Sequence, residues 1–192
     1  MSREKIETIL EKSEVLLNGH FILTSGKHSK QYMQCAKICQ YPEYNSELAS
    51  FLVKEFENQE IDIVIAPAVG GIVFGYEVAR QLKVKNLFAE RENGKMTLRR
   101  GFAIGKGQKV LVVEDVVTTG GSVKEVMEVV REQGGEVIGV GVLVDRSNGT
   151  ADFGVNFKSV YQAKVEAFEP EECPMCKSGE SEAVKPGSRG LK

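Results

Sequence analysis

The first part of the chain combines a helical pattern, two extended runs and a second helical pattern. Apolar side chains at helical spacing predict an amphipathic first helix that contains Ile6, Ile9, Leu10, Leu16 and Leu17. Asn18-Gly19 is expected to end this helix, and residues 20–38 predict two short strands around a Ser-Gly turn. Pro42 favours the first turn of a second helix, whose predicted inner face consists of Leu48, Phe51, Leu52 and Phe56.

From residue 61 the pattern repeats as strand, loop and helix. Short apolar runs predict strands at Ile61–Ala66, Asn86–Ala89, Val110–Val113 and Val137–Val144. One predicted helix follows the loop Pro67–Gly71 and reaches about Leu82, and a second contains Val123, Val126, Met127 and Val130 and ends at Gly134-Gly135. Apolar strands separated by helices predict an α/β fold with a parallel sheet covered on both faces. Ligands of such sheets bind at the carboxyl ends of strands near a topological switch point.

Composition and charge narrow the classes of function. The chain has 192 residues, 42% of them hydrophobic, which is enough to bury one sizeable core. The net charge of -2 gives the surface no general attraction for nucleic acid or membranes, so we expect neither as a partner. The N-terminal segment lacks the continuous apolar run of a signal peptide or membrane span, which favours a cytoplasmic location.

The segment Val112–Ser122 (VVEDVVTTGGS) carries the strongest chemical signal. An apolar strand delivers two acids, Glu114 and Asp115, into a loop that opens a helix. Hydroxyl and backbone N–H donors that suit a phosphate monoester follow at Thr118, Thr119, Gly120, Gly121 and Ser122. Two carboxylates close to a phosphate site indicate that ribose hydroxyls or a shared Mg²⁺ lie between the carboxylates and the phosphate. A strand end with acids and a Thr helix cap is the alternative, and it explains only part of the run.

This run resembles a known signature. Val110–Ser122 (VLVVEDVVTTGGS) resembles the segment with which the type I phosphoribosyltransferases bind PRPP (5-phosphoribosyl 1-diphosphate). The resemblance implies their fold, a central parallel sheet flanked by helices with a small N-terminal hood. It implies that Thr118–Ser122 hold the 5′-phosphate and that Glu114 and Asp115 meet the ribose hydroxyls. Val116 and Val117 belong to the same implied PRPP loop, and Mg²⁺ is the implied cofactor, with no ligands assigned.

Two further segments resemble the orotate members of that family. Gly19–Ser29 (GHFILTSGKHS) is similar to the hairpin that covers their base site, although a polar β-turn would give the same pattern. Ala66–Gly71 (APAVGG) resembles their pyrophosphate loop, which implies that Val69, Gly70 and Gly71 present backbone amides to that anion. Orotate enzymes often have Lys at the position of Gly70, so a direct charge contact is in doubt here.

Glu90–Gly107 (ERENGKMTLRRGFAIGKG) is polar, basic and interrupted by glycines. It resembles the mobile catalytic loop of the orotate enzymes, and Arg91 and Lys95 keep the Arg-x-x-x-Lys spacing of that loop. The resemblance therefore implies catalytic roles for Arg91 and Lys95, together with Asp115. It also implies that the loop reaches a neighbouring subunit, so we expect a C2 homodimer with shared active sites.

The match of this loop is partial. Glu92 and Thr97 stand where the usual Lys and His would be, and Arg99 and Arg100 are candidates for the missing positive charge. A solvated β-hairpin with scattered charges is the alternative interpretation of the segment.

Arg146 follows the last predicted strand at its carboxyl end. A guanidinium binds a carboxylate through two parallel hydrogen bonds, and orotate carries a carboxylate. In the orotate enzymes an Arg at this place binds that group, and the first Thr of the PRPP loop, here Thr118, contacts the base.

The resemblance spans about residues 1 to 165 and implies an orotate phosphoribosyltransferase of pyrimidine biosynthesis, with orotate and PRPP as substrates. It divides the chain into an N-terminal helix and hood hairpin (1–40), an α/β core with the PRPP loop and mobile loop (41–168) and a surface tail (169–192). A purine-type phosphoribosyltransferase and a PRPP-sensing regulator without catalysis remain as alternatives.

The four cysteines form two pairs, Cys35 with Cys39 and Cys173 with Cys176. In a chain without an export signal they are expected as thiols or metal ligands rather than disulfides. Cys173-Pro-Met-Cys176 could form half of a zinc site, with Cys35 and Cys39 completing it if the tail folds back onto the N-terminal hairpin. An inert or redox-active surface pair is the favoured interpretation.

Overall fold

The structure, a computed structural model, describes residues 3–23, 25–164, 166–179 and 181–186. The N-terminal layer consists of α1 (Arg3–Lys12), the antiparallel strands β1 (Leu16–Ile22) and β2 (His28–Met33), and a 3₁₀ helix (Cys35–Gln40). Thr24, in the predicted turn of this hairpin, lies outside the described residues.

The first helix is shorter than predicted, because Leu16 and Leu17 lie in β1. The Ser13 hydroxyl donates a hydrogen bond to the Ile9 carbonyl at 2.7 Å, and Glu14 has a positive φ of 54°. A left-handed residue cannot continue a helix, so the chain turns there into the strand.

The core is a six-stranded sheet with helices on both faces. In chain order its elements are α2 (Pro42–Glu55), β3 (Ile63–Pro67), α3 (Gly70–Leu82), β4 (Lys85–Glu92), β5 (Lys95–Leu98), β6 (Lys109–Val117), α4 (Gly121–Glu132), β7 (Glu136–Asp145) and β8 (Asn156–Gln162). The strand order is β5-β4-β3-β6-β7-β8, and only β5 runs antiparallel to its neighbour. The predicted α/β fold with a parallel central sheet is confirmed.

Alternating strand residues face two separate hydrophobic clusters. Val64 and Leu111 pack on the side of α2 and α3, whereas Ile63 and Val110 pack on the side of α4. This is why the strands are apolar at nearly every position, as expected of a sheet buried on both faces. None of the helices among the described residues is long and apolar enough to cross a membrane.

The tail was expected to lie loosely on the surface, but it is attached to the N-terminal hairpin. Phe168 and His28 exchange two backbone hydrogen bonds of 2.8 Å, and the backbone of Val184 bonds to His20 and Ile22. The short helix α5 (Pro174–Ser178) lies between these contacts. Residues 187–192 of the tail lie outside the described part of the chain.

Candidate active site

The loops that follow β3, β6 and β7 meet at the carboxyl edge of the sheet. The chain passes from β3 to β4 on one side and from there to β6 on the other, so the gap between β3 and β6 is a topological switch point. Arg146 N–H donates to the Val117 carbonyl at 2.8 Å, which places the loop after β7 beside the loop after β6. The loops that carry the predicted pyrophosphate, PRPP and orotate residues therefore meet at the edge of the sheet where the site was expected.

The loop after β6 forms a cradle at the N-terminus of α4. Gly120 has φ of 77°, and a Cβ there would lie 2.8 Å from the ring of Phe153, so both conformation and space require glycine. Thr118 and Thr119 are exposed beside it. A cavity of about 230 Å³ is lined by Arg91, Glu114, Val116, Val117, Thr118, Thr119, Gly120, Gly121, Ser122, Val123 and Glu125. Free N–H groups at a helix start and adjacent hydroxyls suit a phosphate.

Glu114 and Asp115 lie on β6 near its carboxyl end. Glu114 is buried, one of its carboxylate oxygens accepts from Asp115 N–H at 3.1 Å, and Asp115 accepts from Val116 N–H at 2.9 Å. Burial, and then the hydrogen bond and charge of Asp115, raise the pKa of Glu114 to about 9. The uncharged form of Glu114 is therefore favoured at neutral pH, and a cation or hydroxyl donors beside it would favour its charged form.

The loop after β3 packs directly against these acids. A Cβ on Gly70 would lie 2.6 Å from Asp115 Oδ2, and one on Gly71 would lie 2.8 Å from Glu114 Oε1. A side chain at either position would therefore displace the carboxylate that it meets, so glycine lets the loop and the two acids lie in direct contact. Val69, the third predicted residue of this loop, is 81% exposed.

Arg146 is half-buried and has an unsatisfied donor. Its Nε is buried and has no hydrogen-bond partner among the described residues, and the same holds for the neighbouring Ser147 Oγ. Buried donors are nearly always paired, so the two atoms together mark a place where a ligand acceptor would be favourable. Thr118 lies next to this place through the bond between Arg146 and Val117.

The basic segment Glu90–Gly107 begins as a hairpin, because β4 and β5 pair from Ala89 with Leu98 to Glu92 with Lys95. Its three arginines pair with nearby acids. Arg91 donates to Glu125 of α4 at 2.8 Å and lines the cradle. Arg100 pairs with Glu90 at 2.7 Å and Arg99 with Glu92 at 3.3 Å.

Lys95 is not brought to the site. Its Nζ lies 3.8 Å from Glu132 at the C-terminal end of α4, whereas the cradle lies at the N-terminal end, roughly 16 Å away along the helix. Of the predicted catalytic residues, Arg91 lines the cradle and Asp115 lies on β6, the strand that leads into it, whereas Lys95 lies apart.

Comparison with known proteins gives two kinds of match. The model of the phosphoribosyl transferase domain family matches residues 40–171. The orotate phosphoribosyltransferase of Caldanaerobacter subterraneus subsp. tengcongensis is 60% identical over 191 residues, covering 100% of each chain. That of Desulforamulus reducens is 58% identical with the same coverage.

A solved structure of similar fold is the orotate phosphoribosyltransferase from Aeropyrum pernix, with a TM-score of 0.67 and 29% identity. The match covers 83% of this chain and 94% of that one. The adenine phosphoribosyltransferase from Thermoanaerobacter pseudethanolicus has a TM-score of 0.60 at 20% identity over 69% of this chain, a likeness of fold alone.

Proposed function

The chain belongs to the orotate phosphoribosyltransferases of the phosphoribosyl transferase domain family, and from this membership we propose that it transfers the phosphoribosyl group of PRPP to orotate. The products are orotidine 5′-monophosphate and pyrophosphate, a step of pyrimidine biosynthesis. The observation that carries the assignment is the 60% identity over the full length of a named orotate enzyme. Arg146 Nε, which has no hydrogen-bond partner among the described residues, favours an acceptor with a carboxylate over a purine.

A turnover assay tests this assignment. We expect the purified protein, given PRPP, Mg²⁺ and orotate, to consume orotate and release pyrophosphate in equal amounts. Adenine or xanthine in place of orotate should give no nucleotide, because neither offers a carboxylate to Arg146. Nucleotide formed from a purine would favour the purine-type alternative, and PRPP binding without turnover would favour a regulator.

We assign the 5′-phosphate to the N-terminus of α4. Thr118, Thr119 and Ser122 supply hydroxyls there, and Gly120 and Gly121 let the backbone approach the anion. Glu114 and Asp115 lie at the end of the same strand, within reach of the ribose 2′- and 3′-hydroxyls of a sugar held by its phosphate. Both carboxyls would accept hydrogen bonds from those hydroxyls.

The two carboxyls also fit Mg²⁺, which takes oxygen ligands from one or two carboxylates and from substrate phosphates. The raised pKa of Glu114 is a reason for the fit, because a cation there would offset the burial and the neighbouring charge of Asp115 that disfavour a charged Glu114. When bound, Mg²⁺ would stabilise the negative charge of the departing diphosphate.

The transfer of the phosphoribosyl group depends mainly on how the two substrates are positioned. The bond from the anomeric carbon to pyrophosphate breaks, and a bond to a nitrogen of orotate forms. The negative charge of orotate lies on its carboxylate, so the proton of the attacking nitrogen leaves as the new bond forms and passes to the departing diphosphate or to water. Arg146 and Thr118 would orient orotate, and the amides of Val69, Gly70 and Gly71 would receive the pyrophosphate. Arg91 lines the cradle and would stabilise the developing charge.

Asp115→Asn tests the ribose assignment. We expect weaker PRPP binding in the presence of Mg²⁺, by about tenfold, because an amide is a poorer acceptor and a poorer metal anchor than a carboxylate. Isothermal titration with PRPP measures the effect. Asp62→Asn is the matched control, because Asp62 bonds Lys109 N–H at the opposite end of β6. Equal PRPP affinity in wild type and Asp115→Asn would mean that the ribose does not bind at this loop.

We further propose a C2 homodimer. Val69, Val73 and Tyr76 are exposed, and they follow one another at helical spacing from the pyrophosphate loop along α3. An apolar row of this kind supports a self-association surface. It lies beside the site, which supports a dimer whose active sites adjoin the interface.

A cytoplasmic location completes the proposal. All four cysteines have free thiols rather than disulfides, which suits a reducing compartment.

A further inference from the structure

Both histidines of the chain and both cysteines of the tail meet in one cluster. His20 and His28 lie on the two strands of the N-terminal hairpin, and Cys173 and Cys176 lie at the start of α5. One ligand atom of each residue lies within 4.8 Å of the other three. His20 and Cys173 are 153 residues apart in sequence, so the fold, and no local motif, brings them together. We call these four residues the His/Cys cluster.

The distances in the His/Cys cluster approach those of a tetrahedral metal site. Around zinc, a nitrogen and a sulfur ligand lie about 3.6 Å apart and two nitrogens about 3.3 Å apart. His20 Nε2 lies 3.5 Å from Cys173 Sγ and 3.7 Å from Cys176 Sγ. His28 Nδ1 lies 3.3 Å from Cys176 Sγ and 2.9 Å from His20 Nε2. Small outward movements would place all four atoms around one ion.

A hydrogen bond outside the cluster fixes the tautomer that a metal requires. His20 Nδ1 lies 2.9 Å from the Ser181 carbonyl oxygen, which can only accept, so Nδ1 carries the proton. The lone pair of Nε2 then points into the cluster. A ligand histidine whose other nitrogen donates to a carbonyl is the usual arrangement around protein-bound metals.

The surroundings of the cluster also suit a structural ion. His20, His28 and Cys173 are 5%, 8% and 0% exposed, so three of the four donors are shielded from water. The backbone is tied beside both histidines, by Val184 at His20 and by Phe168 at His28. Two thiolates and two imidazoles are a donor set that favours zinc over the hard cations that bind phosphates.

We propose that His20, His28, Cys173 and Cys176 bind one structural Zn²⁺ ion, which holds the tail against the N-terminal hairpin. All four positions are taken by protein atoms, so the ion has no open position for catalysis. The site differs from the one anticipated from the cysteine spacing, because Cys35 and Cys39 belong to the 3₁₀ helix and take no part in it. Its role is to fix the hairpin that adjoins the α/β core.

Metal content is the direct test. The full chain, produced with zinc in the medium and purified without chelator under reducing conditions, should contain about one zinc per chain by mass spectrometry of the metal. Cys176→Ser and Cys173→Ser should each lower this content at least about tenfold. Cys39→Ser is the matched control and should keep it, because Cys39 is a half-buried thiol outside the cluster.

A second measurement does not depend on the variants folding. The metal-free, reduced wild-type chain should bind one Co²⁺ and show the visible absorption of tetrahedral cobalt with thiolate ligands. Removing zinc from wild type should lower Tm by several degrees, and the same chelation of Cys176→Ser should not change it. Wild type that holds neither zinc nor Co²⁺ after reduction overturns the proposal. So does zinc retained at full content in the double variant Cys173→Ser/Cys176→Ser. These readouts are independent of orotate turnover.

Discussion

Arg146→Ala is expected to raise the KM for orotate by about 30–150-fold while leaving PRPP affinity nearly unchanged. The expected loss is that of a charge-assisted, two-pronged hydrogen bond to the orotate carboxylate, about 2–3 kcal/mol. The structure strengthens the expectation, because Arg146 Nε is buried and unpaired within the described residues. PRPP should be spared, since its proposed contacts come from the loops after β3 and β6.

Steady-state kinetics with orotate varied at saturating PRPP measures the effect. Arg146→Lys should recover only part of it, because an ammonium keeps the charge but not the fork of parallel donors. Arg131→Ala is the matched control, since Arg131 is an exposed guanidinium paired with Glu128 on α4. Turnover of uracil, which lacks the carboxylate, should fall by no more than a small factor in Arg146→Ala. A change in orotate KM below about threefold would mean that this Arg does not bind the carboxylate.

The fold was readable from the sequence wherever apolar residues marked both faces of a strand. β3, β6 and β7 were predicted on that basis, and so were α3 and α4. β8 was missed, because most of its positions are half-buried and it lacks an apolar run, and β5 was covered only by the alternative interpretation of the basic segment as a hairpin. At the sheet edge, burial does not make every position apolar, so the pattern there is weak.

The sequence predicted the phosphate loop of the candidate site, but it did not predict the contacts between loops from different strands. Glycines and hydroxyls after an apolar strand predict a cradle from local sequence alone. The packing of Gly70 against Asp115 joins two loops from different strands, and no local pattern encodes it. The His/Cys cluster was missed for the same reason, since the cysteine pair has an incomplete ligand set until the tail reaches the hairpin.

A mixture of two damaged chains is expected to regain activity that neither has alone. Assayed at PRPP well below the wild-type KM, Lys95→Ala and Asp115→Asn should each have low activity as homodimers, the first through loss of a loop cation and the second through loss of the ribose anchor. If the loop of one subunit serves the site of the other, a mixed dimer has one site with both defects and one site with neither. Random exchange makes about half of the dimers mixed, so about a quarter of wild-type activity should return.

The geometry gives a reason to expect this sharing. Lys95 lies near Glu132, at the end of α4 remote from the cradle of its own subunit, and its ammonium is exposed. The apolar row Val69, Val73 and Tyr76 begins at the pyrophosphate loop, so a subunit docked on that row would lie close to this loop. Lys95 can then act at a site only by a large movement of its hairpin or across the interface.

One further mixture separates these two routes. Wild type mixed with the double variant Lys95→Ala/Asp115→Asn should retain about a quarter of full activity if sites are shared, because both sites of every mixed dimer are damaged. If each loop closes over its own site, the same mixture retains about half, and the mixture of single variants recovers nothing. Subunit exchange is verified with an affinity-tagged chain, and the two ratios together decide which subunit supplies Lys95.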